Sequence, residues 1–229
     1  MSAVSEVRKI LGLLSSDDLC SVETWAKLLP EFGFNDENPN ELPKTMLSQP
    51  GLGLRIWQYP NQFEPYMAWL VSQAGSINSY LEIGTRHGGT FVTQVETLRR
   101  LNPAFNRAVA VDLIEQPSLL EFYEYRQQDS GSESFRQWID GEFFDVVFVD
   151  GDHSYEGVKD DAKATVGRCN IQVFHDISSD SCPQVRQYWV EHQKKYAKTH
   201  DFLEFVDQYE SVNGSFLGIG VAVRKVWVE

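Results

Sequence analysis

Acidic and histidine side chains directly follow two apolar segments of the chain and are its clearest candidates for chemistry. They are Asp150, Asp152 and His153 after residues 145–149, and His175 and Asp176 after the next apolar run. In an open α/β sheet, the carboxyl ends of the strands line the ligand crevice. The pattern therefore predicts a polar site at that edge, where His153, with an unperturbed pKa of about 6.5, suits proton transfer near neutral pH.

A glycine-rich turn after another apolar segment provides a second candidate site. Residues 80–83 predict a buried strand, Gly84 ends it, and the pair Gly88-Gly89 precedes a helix. A helix N-terminus after glycines presents free backbone N–H groups and lets a ligand approach the main chain closely. The spacing Glu82-x-Gly84-x-x-x-Gly88-Gly89 differs from the G-x-G-x-x-G of dinucleotide sites. An ordinary strand–turn–helix corner, with glycines for tight packing, is the alternative.

The alternation of apolar runs with helical segments predicts an α/β fold that places these residues at one edge. Strands are expected at 80–83, 107–112, 123–130, 145–149 and 171–177, with helices between them. Two further runs, 202–206 and 216–223, flank a polar turn at Asn213-Gly214 and predict a terminal β-hairpin.

The beginning of the chain predicts two helices. The first spans residues 3–14, and the second spans about residues 18–29. Asp17 or Asp18 is expected to cap the second helix, and Pro30 to end it.

A domain boundary is expected near residue 60. The preceding residues are rich in Asn, Pro and Gly and lack sustained periodicity, whereas Asn61 and Glu64 predict a capping box that starts a regular helix. We therefore predict a helical extension with a long loop over residues 1–60. The ligand-binding domain is expected over residues 61–229.

Two stretches resemble the class I S-adenosylmethionine (SAM) dependent methyltransferases. The first is Glu82-x-Gly84-x-x-x-Gly88-Gly89, and the second is V-D-G-D-H-S-Y-E-G-V-x-x-D over residues 149–161. The longer stretch is similar to a subgroup that includes macrocin- and mycinamicin-type sugar O-methyltransferases and cephalosporin hydroxylase-like proteins. This resemblance implies a Rossmann-like, seven-stranded, mostly parallel sheet with helices on both faces and an antiparallel last strand.

The resemblance also implies which residues bind SAM. The glycines would pass beside the methionine part of the cofactor, and Glu82 would reach its amino group directly or through water. Asp112 would accept the ribose hydroxyls, and Asp129 would contact the adenine amino group. The implied cofactor residues are Glu82, Gly84, Thr85, Gly88, Thr90, Asp112, Asp129 and Asp150. Asp112 at a strand end and Asp129 in an Asp-Ser-Gly turn also fit structural roles.

Metal-dependent members of the family hold Mg²⁺ with acids that follow two neighbouring strands. The matching positions are Asp150, His175 and Asp176. Carboxylates suit Mg²⁺, whereas imidazole suits softer metals, so His175 leaves the metal and the third ligand open. A bound cation would lower the pKa of an acceptor hydroxyl, and Asp152 or His153 would then take its proton. His153 has helix capping as an alternative role.

These implied contacts favour O-methylation of a small hydroxylated acceptor, such as a sugar or a natural product intermediate. A non-catalytic SAM-binding protein and a dinucleotide-dependent oxidoreductase are alternatives. The glycine spacing and the terminal hairpin argue against the oxidoreductase.

The composition argues against nucleic acid and membranes as partners. The 229 residues include 33 acidic and 20 basic side chains, giving a net charge of -13, whereas phosphate binding requires clustered Lys and Arg. The N-terminus has no long apolar run, so neither a signal peptide nor a membrane span is expected. Three widely spaced cysteines indicate a reducing cytoplasm. A homo-oligomer is left open.

Overall fold

The computed structural model describes residues 2–35, 51–209 and 214–225, and its centre is a seven-stranded sheet. The strands are β1 Ser79–Ile83, β2 Arg107–Asp112, β3 Glu124–Gln127, β4 Phe144–Val149, β5 Cys169–His175, β6 His200–Phe205 and β7 Ile219–Arg224. Their order is β3-β2-β1-β4-β5-β7-β6. The last strand, β7, is antiparallel to both neighbours, and β1 to β5 pair in parallel. The predicted sheet is therefore confirmed.

The strand order reverses between β1 and β4, and this reversal places a crevice beyond their carboxyl ends. Ile83, the last residue of β1, pairs with Val111 on one side and Val149 on the other. The strands therefore end level with one another. Gly84 N–H donates to the Val111 carbonyl at 2.9 Å, and Asp150 N–H donates to the Ile83 carbonyl at 2.8 Å.

Eight α-helices of the described ranges cover both faces of the sheet. They are α1 Ala3–Gly12, α2 Ser16–Leu19, α3 Val22–Phe32, α4 Pro60–Gln73, α5 Gly89–Leu101, α6 Glu133–Asp140, α7 Tyr155–Thr165 and α8 Pro183–Tyr196. Side chains from α1 to α5 form one apolar core with the sheet, and side chains from α6 to α8 form the other. No helix of the described ranges is long and apolar enough to cross a membrane.

The predicted second helix is wrong in its bounds, because the chain forms α2 and α3 instead. Ser15 caps α2, and the Asp18 side chain accepts a hydrogen bond from the Ser15 backbone N–H, which completes a capping box. Pro30 lies inside α3 rather than ending it. Phe32 is fully buried, and this burial stabilises the last turn although Pro30 cannot donate a backbone hydrogen bond. The helix ends at Gly33, whose φ is 101°.

The predicted capping box at Asn61 is also not formed. Helix α4 begins at Pro60, and Tyr59 is its N-cap without a side-chain cap hydrogen bond. Proline suits the first helical position because the N–H of that residue has no partner in the helix. The Glu64 side chain is buried instead of capping, and burial raises its pKa to about 7.

The N-terminal helices share an apolar core with the sheet and do not form a separate unit. Val7 and Leu11 of α1 are fully buried in the same core as α4 and α5. Arg8 forms an ion pair with Glu96 of α5, with Nε 2.6 Å from Oε2. Of the predicted loop up to residue 60, residues 36–50 lie outside the described ranges, as does Asn213 of the predicted hairpin turn.

Candidate active site and cofactor cavity

One cavity of about 770 Å³ lies at the carboxyl ends of the parallel strands. All the predicted cofactor, metal and catalytic residues line it. Loops after β1, β2, β3, β4 and β5 contribute to the wall, and residues 55 and 57 close one side. Pockets for small ligands have volumes of about 300–1,000 Å³, so the cavity suits a cofactor-sized molecule.

The glycines of the turn after β1 are required by close chain packing. Gly84 has φ of 85°, and a Cβ there would lie 2.0 Å from the Asp150 carbonyl oxygen. Gly88 has φ of 87° and is the N-cap of α5. A Cβ on Gly89 would lie 2.4 Å from the carbonyl oxygen of Leu54. Tight packing therefore requires glycine at these positions, as the alternative interpretation of the turn proposed. The same glycines also line the cavity.

Thr85 and Thr90 lie on either side of that turn and are buried. The Thr85 hydroxyl is 3.4 Å from the carbonyl oxygens of Glu82 and Val111. Thr85 therefore joins the ends of β1 and β2, and Thr90 lies in the first turn of α5. Both predicted residues reach the cavity wall.

Glu82 is buried at the inner end of the cavity and belongs to a chain of hydrogen bonds. The Tyr80 hydroxyl donates to Glu82 Oε2 at 2.6 Å, and Gln94 Nε2 donates to the Tyr80 oxygen at 2.6 Å. Tyr66 donates to Gln94 Oε1 at 2.7 Å. Burial raises the pKa of Glu82 well above its ordinary value, and the charges of Asp150 and Asp112 raise it further, against the Tyr80 hydrogen bond. Glu82 can hold either a proton or a cationic group.

The two aspartates predicted to contact ribose and adenine differ in their surroundings. Asp112 ends β2, and its carboxylate accepts hydrogen bonds from the backbone N–H of Arg86 at 2.6 Å and of Leu113 at 2.7 Å. Asp129 is exposed and accepts from the Gly131 N–H at 2.8 Å, as in a simple Asx turn. Asp112 thus connects two loops that line the cavity, and its remaining lone pairs can accept ligand hydroxyls.

Four side chains after β4 and β5 form a polar cluster, which consists of Asp150, His153, His175 and Asp176. Asp150 Oδ1 lies 3.3 Å from His153 Nε2 and 3.0 Å from His175 Nδ1. Asp176 Oδ2 lies 3.4 Å from His153 Nε2 and 3.7 Å from His175 Nδ1. The predicted metal set, Asp150, His175 and Asp176, offers three ligand atoms within 4.8 Å of one another.

The carboxylates of the polar cluster favour positive charge on its imidazoles. A hydrogen bond to Asp150, followed by one to Cys182, raises the pKa of His153 to about 11. Burial lowers the pKa of His175, but the charges of Asp150 and Asp176 outweigh it and the net direction is upward. The expectation of a neutral His153 base near pH 7 assumed an unperturbed imidazole. In this arrangement the ring holds its proton.

Asp152 does not join the polar cluster. Its Oδ1 accepts from the Ser154 N–H at 2.9 Å, and its Oδ2 accepts from the Ser154 hydroxyl at 2.7 Å. The Ser154 hydroxyl in turn accepts from the Gly157 N–H at 3.1 Å and caps α7. Hydrogen bonds from Ser154 lower the pKa of Asp152. The capping role considered for His153 therefore belongs to Asp152 and Ser154.

Two contributors to the site had no clear signal in the sequence. Cys182 lies just before α8, with Sγ 3.4 Å from both His153 Nδ1 and Asp176 Oδ2. Trp57 lines the cavity, and the Arg86 guanidinium lies 3.7 Å from the centre of its ring. A lone cysteine and one aromatic residue in a long loop carry no spacing pattern.

Asp161 lies in α7, and its side chain is buried, with only 1% of the residue exposed. Burial raises its pKa to about 7, a hydrogen bond with Ser130 opposes this, and the charge of Asp152 adds to it. A Cβ on Gly151 would lie 3.0 Å from Asp161 Oδ2. Asp161 thus lies directly beneath the loops that follow β3 and β4.

The predicted magnesium ligands meet in space, but their donor atoms do not fit Mg²⁺. Mg²⁺ requires oxygen ligands in near-octahedral geometry. One of the three predicted donors is the His175 imidazole nitrogen, which lies 3.0 Å from Asp150 Oδ1 and 3.7 Å from Asp176 Oδ2. Nitrogen donors of this kind suit zinc, iron, nickel or copper.

Comparison with known proteins connects this geometry to a family. A family model described as a methyltransferase domain matches residues 81–177. Residues 81–177 are therefore similar to a methyltransferase domain. The matched segment begins in β1 and ends just after β5, so it includes the glycine turn, Asp112 and the polar cluster. No curated protein matches the chain.

Solved methyltransferase structures share the fold of this chain. The O-methyltransferase from Bacillus cereus in complex with SAH is 15% identical, with a TM-score of 0.52 over 74% of this chain and 82% of that chain. The MycE methyltransferase of the mycinamycin biosynthetic pathway, in complex with Mg and SAH, is 13% identical, with a TM-score of 0.50 over 71% of this chain. The chain spans about half of MycE, 49% of its length. The predicted class I methyltransferase fold is confirmed.

Proposed function

We propose that the protein transfers the methyl group of SAM to a hydroxyl group of a small molecule. The observation that carries this proposal is that the glycine turn, Asp112 and the polar cluster all line one cavity. A cofactor and an acceptor can therefore lie side by side. Proximity and orientation account for most of the barrier reduction in such transfers, because bound SAM supplies an electrophilic methyl group.

The residues at the cofactor end fit SAM. Glu82 is a buried carboxylate that can pair with the ammonium of the methionine part, and Tyr80 holds it in place. Asp112 has lone pairs for two ribose hydroxyls, and its bonds to the backbone N–H of Arg86 and Leu113 fix its orientation. We propose a lesser role for Asp129, because it is exposed and occupied by its own turn.

The polar cluster is the proposed binding site for the acceptor hydroxyl. Its carboxylates can accept a hydrogen bond from the hydroxyl, and its imidazoles can hold or release a proton nearby. Asp152 is a weaker candidate for the base, because both its oxygens already accept hydrogen bonds from Ser154. A solved MycE complex contains Mg, SAH and mycinamycin VI. We propose an acceptor of similar kind, a sugar or a natural product hydroxyl.

SAM affinity is expected to rise with pH, because Glu82 must lose its proton to pair with the SAM ammonium. The pKa of Glu82 is raised in the free protein. At any pH below that pKa, Glu82 therefore releases a proton when SAM binds. Calorimetric titration in buffers with different ionisation enthalpies measures this release. Glu82→Gln should remove the pH dependence, and a wild-type affinity that does not change with pH would contradict the proposed contact.

Asp112→Ala is expected to weaken SAM binding by at least about tenfold, because a hydrogen bond to a charged group contributes about 1.5–3 kcal/mol. Asp129→Ala is the matched control and should change the affinity by a smaller factor, since its carboxylate is exposed and held in its own turn. Equal losses in the two variants, measured by calorimetry, would show that the assignment of the ribose acceptor is incorrect.

Transfer itself can be tested with radiolabelled SAM and a panel of hydroxylated sugars and natural products. We expect label in at least one acceptor and a matching amount of S-adenosylhomocysteine. Tight SAM binding without transfer to any member of a broad panel would instead favour the non-catalytic alternative.

A further inference from the structure

We propose that the acceptor of the methyl group carries an oxyanion, a carboxylate or a phosphate, which binds to a cationic wall of the cavity. The cationic wall consists of Arg55, Trp57 and Arg86. This inference rests on the proposed function and names the class of its acceptor. Of the lysines and arginines in the described ranges, Arg55 and Arg86 are the two that line the cavity. The net charge of -13 repels anionic ligands, so a site for one requires local positive charge.

Trp57 orients the Arg86 side chain at the cavity. The Arg86 guanidinium lies 3.7 Å from the centre of the Trp57 ring, and the His87 ring also stacks on Trp57, with ring centroids 6.4 Å apart. The Arg86 backbone is fixed by its N–H bond to Asp112 Oδ2 at 2.6 Å. A guanidinium that stacks on an aromatic face directs its N–H donors sideways, in the planar fork that suits a carboxylate or a phosphate.

Arg55 is held beside the N-terminus of α5 by packing of its backbone. Leu54 and Ile56 are buried in the core, whereas Arg55 and Trp57 line the cavity. A Cβ on Gly89, the first residue of α5, would lie 2.4 Å from the Leu54 carbonyl oxygen and 3.0 Å from the Arg55 carbonyl carbon. Because a helix N-terminus carries partial positive charge, Arg55 adds its charge to a part of the wall that already favours anions.

Both arginines have backbone conformations that are unfavourable for residues other than glycine. The φ angle is 58° at Arg55 and 47° at Arg86, in the left-handed region. Asp176 and Leu217 are the other described non-glycine residues with positive φ, and they line the same cavity. Strain of this kind persists where the surrounding structure enforces it, and it concentrates at ligand sites. The fold therefore enforces the positions of both arginines.

The position of Arg86 suits the acceptor better than SAM itself. The SAM carboxylate is bonded to the same carbon as the ammonium, so it lies beside Glu82, which is buried with 1% of the residue exposed. Arg86 is exposed and lies on the solvent side of the cavity. Charge also orients an anionic acceptor, because Asp150 and Asp176 accept its hydroxyl but repel its oxyanion, which the arginines attract.

Calorimetric titration of the full chain with inorganic phosphate, in the presence of excess SAH, tests the cationic wall. We expect saturable binding in the wild type. Binding should be at least about tenfold weaker in Arg86→Gln and in Arg55→Gln, because each variant loses hydrogen bonds to a charged group. Arg136→Gln is the matched control, since that arginine lies on α6, is 46% exposed and should not affect phosphate binding. No saturable binding, or equal binding in all four proteins, would overturn the proposal.

Matched pairs of an acid and a neutral alcohol test whether the oxyanion belongs to the acceptor. Glucuronate with glucose, and salicylate with salicyl alcohol, are titrated into the same samples. We expect the acid of at least one pair to bind at least about tenfold more tightly than its neutral partner. Arg86→Gln should remove this preference, and Arg136→Gln should keep it. Acids that bind no better than their neutral partners would overturn the assignment to the acceptor.

Titration with SAM and with decarboxylated SAM separates the cationic wall from a site for the SAM carboxylate. We expect Arg86→Gln and Arg55→Gln to bind SAM with wild-type affinity, which also shows that both variants are folded. A loss of SAM affinity in either variant would overturn the proposal, and unchanged affinity for decarboxylated SAM would then assign the arginines to the SAM carboxylate. A preference for acids in a wild-type chain that does not bind SAM would support the cationic wall and count against the proposed function.

Discussion

Gly84→Ala is expected to abolish SAM binding and to lower the free energy of unfolding by about 3 kcal/mol or more. The new Cβ would lie 2.0 Å from the Asp150 carbonyl oxygen, and the φ of 85° is unfavourable for alanine. A left-handed conformation costs about 1–2 kcal/mol, and overpacking adds about 1–3 kcal/mol. Because the neighbour is backbone, relief requires β1 and β4 to separate at the end that forms the cavity.

Chemical denaturation and SAM calorimetry measure the two effects of Gly84→Ala. Gly12→Ala is the matched control, since Gly12 lies in α1, has open space around its Cα and has no positive φ. That variant should be unchanged or up to about 1 kcal/mol more stable. A Gly84→Ala protein with normal stability and SAM affinity would contradict the described contact between β1 and β4.

Asp161→Asn is expected to stabilise the protein above pH 7 by up to about 4 kcal/mol. The pKa of Asp161 is raised from 3.8 to about 7, so the wild-type folded state loses stability as pH rises from 3.8 to about 7. Each pH unit in that window corresponds to about 1.36 kcal/mol. Asparagine cannot ionise, and its side chain can still form a hydrogen bond with Ser130.

Urea denaturation of wild type and variant at pH 5 and pH 8 tests the Asp161 prediction. The stability difference should be larger at pH 8, because wild-type Asp161 is ionised there in both states. Asp160→Asn is the control, as its side chain is 45% exposed and its neighbour Arg136 is also exposed. A stability difference that is the same at both pH values would rule out an elevated pKa at Asp161.

The fold and the position of the site could be predicted because they depend on local patterns. Apolar runs define strands, and the rule that strand ends line the crevice brings Asp112, Asp150 and Asp176 together. The hairpin strands follow from the same alternation, and β6 and β7 do pair antiparallel with each other, with β7 also antiparallel to β5.

Charge states in the site could not be predicted from the sequence, because they depend on neighbours distant in the chain. His153 is flanked by Asp176 and by Cys182, which is 29 residues away. Its unperturbed pKa is therefore a poor guide to its state. The raised pKa of Asp161 could not be predicted for the same reason, because helical periodicity alone does not reveal that the loop after β3 covers its side chain.

The N-terminal region shows a second reason why parts of the structure could not be predicted from the sequence. Pro30 normally ends a helix, but burial of Phe32 extends α3 past it. Trp57 reaches the cavity because the segment 52–56 forms backbone hydrogen bonds with the end of α3, such as Leu54 N–H to the Phe32 carbonyl at 3.0 Å. Contacts of this kind depend on tertiary packing and leave no periodic signal in the sequence.

Calorimetric titration of the purified chain with SAM, SAH and NADH tests most directly whether the cavity is a SAM site. We expect one molecule of SAM or SAH to bind per chain, with an affinity at least about tenfold weaker in Asp112→Ala, and no binding of NADH. Binding of NADH that SAM cannot displace, or no binding of SAM at all, would show that the cavity is not a SAM site.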